Sequence, residues 1–85
     1  MRYSIFIERY AQKQIMKLDK QVIPQIKKTI STLADDPRSH HCKKLKGEDA
    51  WRIRTGNFRI IYEIDDEKHI VTIISVGHRK DIYRK

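Results

Sequence analysis

Residues 2–7 alternate, with Tyr3, Ile5 and Ile7 set against Arg2, Ser4 and Phe6. That two-residue period is the mark of a strand with one apolar face. From Glu8 the spacing lengthens. Tyr10 or Ala11, Ile15 and Leu18 recur at helical intervals, with Gln12, Lys13, Gln14 and Lys17 between them. Asp19 is expected to cap a second helix, its carboxylate accepting from the free N–H groups of the next turn. Val22, Ile23, Ile26, Ile30 and Leu33 form the apolar stripe of that helix. Pro24 falls in its first turns, where a missing N–H costs little. Asp35-Asp36-Pro37 stops it, because the residue before proline avoids helical backbone. The two helices leave Lys13, Lys17, Lys20, Lys27 and Lys28 on their outer faces.

Arg38 to Asp49 is polar and basic and reads as loop, with Leu45 as the aliphatic anchor and Lys46-Gly47-Glu48-Asp49 as turn chemistry. Alternation then returns. Ala50 to Thr55 places Trp51 and Ile53 on one side and Arg52 and Arg54 on the other. Gly56-Asn57 is a tight hairpin turn that tolerates positive φ. Phe58 to Ile64 sets Phe58, Ile60, Tyr62 and Ile64 opposite Arg59, Ile61 and Glu63. Asp65 to Lys68 is a second turn. His69 to Val76 is nearly continuous apolar sequence, as in a strand covered on both faces. Gly77 ends it, and His78 to Lys85 is a short tail. The implied architecture is α+β and a single domain over residues 1–85, in β-α-α-β-β-β order. A helical hairpin packs on one face of a four-stranded antiparallel sheet. The first strand pairs with the last, which becomes central.

Composition sharpens this picture. Eighty-five residues with 39% hydrophobic content suffice for one small core. One cysteine, Cys42, staples nothing, which suits a reducing compartment. Apolar runs fall well short of the roughly 18 residues of a membrane span. The apolar part of the first eight residues is too short for a signal peptide. We therefore expect a cytoplasmic protein without membrane contact. His40-His41-Cys42 has metal-binding residue types, but adjacent residues rarely converge on one ion and no second ligand pair has suitable spacing. No metal or cofactor is expected.

The net charge is +8, from 19 Lys and Arg against 11 Asp and Glu, and it points to a polyanion. The excess is even along the chain: eight basic and four acidic residues up to Cys42, eleven and seven after it. Its arrangement is more telling. If Trp51, Ile53, Phe58 and Ile60 face the helices, then Arg52, Arg54 and Arg59 share the opposite face. Lys43, Lys44 and Lys46 lead into that hairpin, and Arg79 and Lys80 follow the last strand. Glu63, Asp65, Asp66 and Glu67 fall at the far end. Like charges on adjacent strands repel, and the planar guanidinium fork suits phosphate. This combination predicts a basic phosphate-binding face with an acidic far edge.

Nearly the whole chain resembles the RelE/ParE superfamily of toxin–antitoxin toxins. The resemblance lies in the element order and in Lys43-Lys44-Leu45-Lys46-Gly47, Trp51-Arg52-Ile53-Arg54 and Asn57-Phe58-Arg59-Ile60-Ile61-Tyr62. It continues through Ile74-Ser75-Val76-Gly77-His78-Arg79-Lys80-Asp81-Ile82-Tyr83. It is closer to the RelE branch, which implies an endoribonuclease that enters the ribosomal A site and cuts mRNA there. On that resemblance Arg52, Arg54, Arg59, Arg79 and Tyr83 match catalytic positions, and His78 stands where the best-known member has lysine. Lys43, Lys44, Lys46 and Lys80 are expected to bind RNA. The resemblance also implies a RelB-like antitoxin, with a toxin monomeric by itself and assembled with that partner into a hetero-oligomer. Two other readings stay open: a ParE-like inhibitor of DNA gyrase that does not cut RNA, and a non-catalytic nucleic-acid-binding module.

Overall fold

A computed structural model describes residues 2–78. β1 (Ser4–Ile7) leads into α1 (Arg9–Met16) and α2 (Ile23–Asp35). Four strands follow: β2 (Cys42–Lys44), β3 (Trp51–Thr55), β4 (Phe58–Asp65) and β5 (Ile70–His78). They form one five-stranded sheet in the order β1-β5-β4-β3-β2. β1 runs parallel to β5, and the other neighbours are antiparallel.

The sheet therefore departs from the expected four antiparallel strands, in two linked ways. The stretch read as loop contains β2, which pairs Cys42 with Ile53, Lys43 with Arg52 and Lys44 with Trp51. Three residues show too little alternation to announce a strand, and lysines are what an exposed sheet edge carries to deter further pairing. Adding β2 also changes the parity. If each connection reverses the chain, β5 lies six reversals after β1 and runs parallel to it. Leaving β2 out makes it five and predicts antiparallel.

The helix stripes behave as their spacing dictates. Ala11 and Ile15 of α1 and Ile26, Ile30, Leu33 and Ala34 of α2 are buried. They pack on Ile53, Ile60, Tyr62, Val71, Ile73 and Val76 from the sheet. Asp19 does not cap through its side chain. Its backbone carbonyl accepts from the Val22 and Ile23 N–H groups at 2.8 and 3.3 Å, and the helix starts at Ile23 with Pro24 in its first turn. Asp36 leaves helical backbone (φ −152°, ψ 91°) just before Pro37, as proline demands. The Tyr62 hydroxyl reaches through the core to donate to the Pro37 carbonyl at 2.7 Å, fixing the exit from α2. Burial accordingly raises the Tyr62 pKa.

The far face of the sheet holds its own small apolar cluster. Ala50 and Ile61 are buried there, with Leu45 packed against them. Leu45 is thus an anchor, but on the side away from the helices. Strand β5 also runs past Gly77 to His78, two residues beyond its expected end.

Candidate functional site

The β3–β4 hairpin sets the geometry of the basic face. Gly56 has φ +60° at the first turn position, and Thr55 pairs directly with Phe58. A side chain is strained at that φ, and a Cβ there would lie 2.9 Å from Gln25 Nε2. Gln25 of α2 also donates to Thr55 Oγ1 at 2.9 Å and so ties the hairpin tip to the helix layer. With the register fixed, Arg54 lies opposite Arg59, Arg52 opposite Ile61 and Lys43 opposite Arg52. Cys42, Ile53 and Ile60 take the alternate positions and point to the core. Arg52, Arg54, Arg59 and Lys43 therefore share the face away from the helices, as alternation requires. On the other side of Arg59 stands Gly77, which has no side chain to fill the adjacent space.

Other candidate residues are placed differently. Lys44 pairs with Trp51, so its register position belongs to the helix side, away from Lys43. Lys46 is exposed in the turn between β2 and β3. There the Glu48 N–H donates to the Leu45 carbonyl at 3.3 Å and Gly47 takes φ +75°. His78 pairs with Phe58 and sits in its row, the two rings edge to face at 5.9 Å, one step off the Arg59–Gly77 row. Arg79, Lys80 and Tyr83 lie outside the described residues.

Sequence reasoning misses the polar side chains of α1 that hold the neighbouring strands in place. The Gln14 carboxamide oxygen accepts from the Val76 N–H of β5 at 2.7 Å, and Gln12 Nε2 donates to the Ile7 carbonyl of β1 at 2.7 Å. A glutamine on a helix's polar positions has no spacing that distinguishes such a role from simple solvation.

The opposite end of the sheet is acidic. Asp49, Glu63, Asp65, Asp66 and Glu67 line a shallow depression with Ile64 and Thr72. Beside it, Arg38 grips Asp66 with two parallel hydrogen bonds, at 3.0 and 2.8 Å. The Tyr3 hydroxyl donates to the same carboxylate at 2.7 Å. Arg38 above all, and then Tyr3, hold the Asp66 pKa down at about 2. The shared carboxylate raises the pKa of Tyr3 and of Arg38 in turn. Arg38 also lies over the Trp51 ring at 5.6 Å, and the Tyr3 and His69 rings stand 5.1 Å apart.

A further feature lies along the helix layer. Ile7, Gln12, Ile15, Met16, Lys27 and Ile30 line an apolar groove. Met16 is 78% exposed beside it. No helix among the described residues is long and apolar enough to cross a membrane.

Comparison with known proteins follows the same lines. Residues 5–83 match the family described as the ParE toxin of the type II toxin–antitoxin system parDE. The chain is 35% identical over 83 residues to the mRNA interferase toxin RelE of Escherichia coli strain K12, covering 94% of this chain and 86% of that protein. It is 32% identical to toxin RelG of Mycobacterium tuberculosis, with both chains covered in full. Among solved structures, the toxin–antitoxin complex RelBE2 of M. tuberculosis superposes with a TM-score of 0.85 at 27% identity, covering 93% of this chain and 100% of that one. The intact E. coli RelBE toxin–antitoxin complex gives 0.78 at 34%, covering 89% and 95%.

Proposed function

The chain belongs to the RelE/ParE superfamily of type II toxin–antitoxin toxins, close to the RelE toxins, and from that premise we propose that it is a ribosome-dependent mRNA endoribonuclease. The observation that carries the reading is the register of the hairpin, which sets Arg54 against Arg59 and places Arg52 and Lys43 in the next row. Guanidinium forks and an ammonium gathered on one face suit the oxygens of a phosphodiester.

The chemistry follows from the side chains. The ribose 2′-OH attacks the adjacent phosphorus in line, the bond to the 5′-oxygen breaks, and the products are a 2′,3′-cyclic phosphate and a 5′-OH. The phosphorane passed through carries two negative charges. Arg59 stabilises it as a fixed cation, with Arg52 and Arg54 positioning the phosphate and adding to the field. Charge stabilisation of this kind needs no metal ion. Arginine is a poor base, since its pKa exceeds about 12. The resemblance supplies Tyr83 as the base and Arg79 as a further cation. His78 has an intrinsic pKa suited to proton transfer, but its row is shared with Phe58, and it serves this site only by turning toward the arginine face. Lys43, Lys46 and Lys80 hold the flanking RNA backbone. The ribosomal A site supplies the alignment of the strand that so small a protein lacks. A reaction on translating ribosomes takes place in the cytoplasm.

We further propose an antitoxin partner of RelB type, supported by solved relatives that are toxin–antitoxin complexes. The groove beside Met16 and the basic face together suit an acidic amphipathic segment that folds on binding. The toxin itself is monomeric and joins its partner in a hetero-oligomer.

A ParE-like activity is the second reading, favoured by the family whose name residues 5–83 match. Primer extension on mRNA from a translating extract separates the two. Cuts within codons, appearing on addition of the toxin, support the nuclease. Intact mRNA together with blocked supercoiling by gyrase overturns it.

A further inference from the structure

Strand β5 changes phase at Ile74. Val71 and Ile73 face the core opposite Ile64 and Tyr62; the pairing then skips Ile74, so that Ser75 meets Ile61 and Val76 meets Ile60. One extra residue of this kind is a β-bulge, and it turns the residues after it by one position. Unbroken alternation puts Ser75 on the helix side and Val76 on the open face. The bulge reverses both. Val76 is buried in the core at 1% exposure, and Ser75 joins Arg59 and Arg52. It stands opposite Ile61, whose other cross-strand neighbour is Arg52, and two residues from Gly77, which faces Arg59.

Ser75 is polar and 9% exposed, and its register places it on the arginine face. Arg52, Arg54, Arg59 and Lys43 are donors only. They recognise phosphate, which RNA and DNA share. The 2′-OH is what tells RNA from DNA, and a hydroxyl that both donates and accepts is its natural partner. We propose that Ser75 reads the ribose on this face, exchanging a hydrogen bond with the 2′-OH of a nucleotide whose phosphate the arginines hold. This rests on the reading of the protein as an RNA-cutting toxin and adds a residue that sets its substrate class.

The test is fluorescence anisotropy of the purified toxin with labelled single-stranded RNA and with DNA of the same base order. Wild type is compared with Ser75→Ala and with the nearly isosteric Ser75→Cys, whose sulfur is a weak acceptor. The wild type is expected to prefer RNA. Both variants lose about three- to tenfold in RNA affinity, as for one hydrogen bond, with DNA affinity unchanged. Both are expected to melt within a few degrees of the wild type, so that the loss is one of contact and not of folding. An RNA-to-DNA ratio that stays the same, or an equal loss on both strands, overturns the assignment. The two readings fail separately. Wild-type cutting of mRNA with an unmoved ratio removes Ser75 alone, whereas a Ser75-dependent ratio without cutting in a translating extract removes the nuclease and keeps the ribose contact.

Discussion

At one end of the open face Arg54 stands directly across from Arg59. Away from that face, Arg38 closes a two-pronged ion pair on Asp66, and Tyr3 adds a third hydrogen bond to the same carboxylate. The acidic end joins three separate parts of the chain: the approach to β1, the segment after α2 and the β4–β5 turn. Its charges pair within the protein, across an exposed and screened contact. The basic end gathers Arg52, Arg54, Arg59 and Lys43 on one face, an arrangement that suits an anionic ligand. The placement of charge at each end, more than the total of +8, is what distinguishes the two regions.

Each end can be disabled by itself. The double variant Arg52→Ala/Arg54→Ala should have the strongest effect. RNA affinity at low salt falls at least tenfold. The slope of log affinity against log salt becomes shallower by about 0.7 for each phosphate of a single strand that is no longer held. Titrations at several salt concentrations measure both, and an unchanged slope removes these arginines from the interface. Next comes Tyr62→Phe, which strips the buried Pro37 carbonyl of its donor. Chemical denaturation should show a loss of about 1–3 kcal/mol, with RNA affinity of the folded protein unaltered.

The smallest effect is at Asp66, where the ion pair is exposed and screened. Its pKa is lowered to about 2, from about 3.9 in an unfolded chain, so its contribution is complete above about pH 4 and is lost as pH falls toward 2. Asp66→Asn should melt below wild type at neutral pH, and the two curves should converge near pH 2. Curves that stay parallel down to that pH show the carboxylate to be irrelevant to stability.

Much of the fold and of the basic face is legible in the residues. Alternation places Trp51, Ile53, Phe58 and Ile60 toward the helices, and from that the shared face of Arg52, Arg54 and Arg59 follows directly. The helical stripes and the stop at Pro37 are equally plain, because each rests on a local rule. What stays hidden depends on pairing between distant segments. The three residues of β2 carry no period of their own, and without them the direction of β1 comes out wrong. The bulge at Ile74 is invisible in an apolar run, where every residue suits either face. The sequence therefore gives no sign of Ser75 on the arginine face, nor of His78 standing one row away from Arg59. Gln14 and Gln25 act through single hydrogen bonds to other elements, for which a sequence has no spacing rule.

The division of labour between the two ends comes down to one paired measurement. Arg59→Ala and Asp66→Asn are compared with wild type for mRNA cleavage in a translating extract and, in the same preparations, for melting temperature. Arg59→Ala should cut about a hundredfold or more slower, as when one fixed charge is removed from a transition state, yet melt within a few degrees of wild type. Asp66→Asn should cut at the wild-type rate and melt lower at neutral pH. Cleavage by Arg59→Ala at the wild-type rate, or a loss of cutting by Asp66→Asn equal to that of Arg59→Ala, would refute the division.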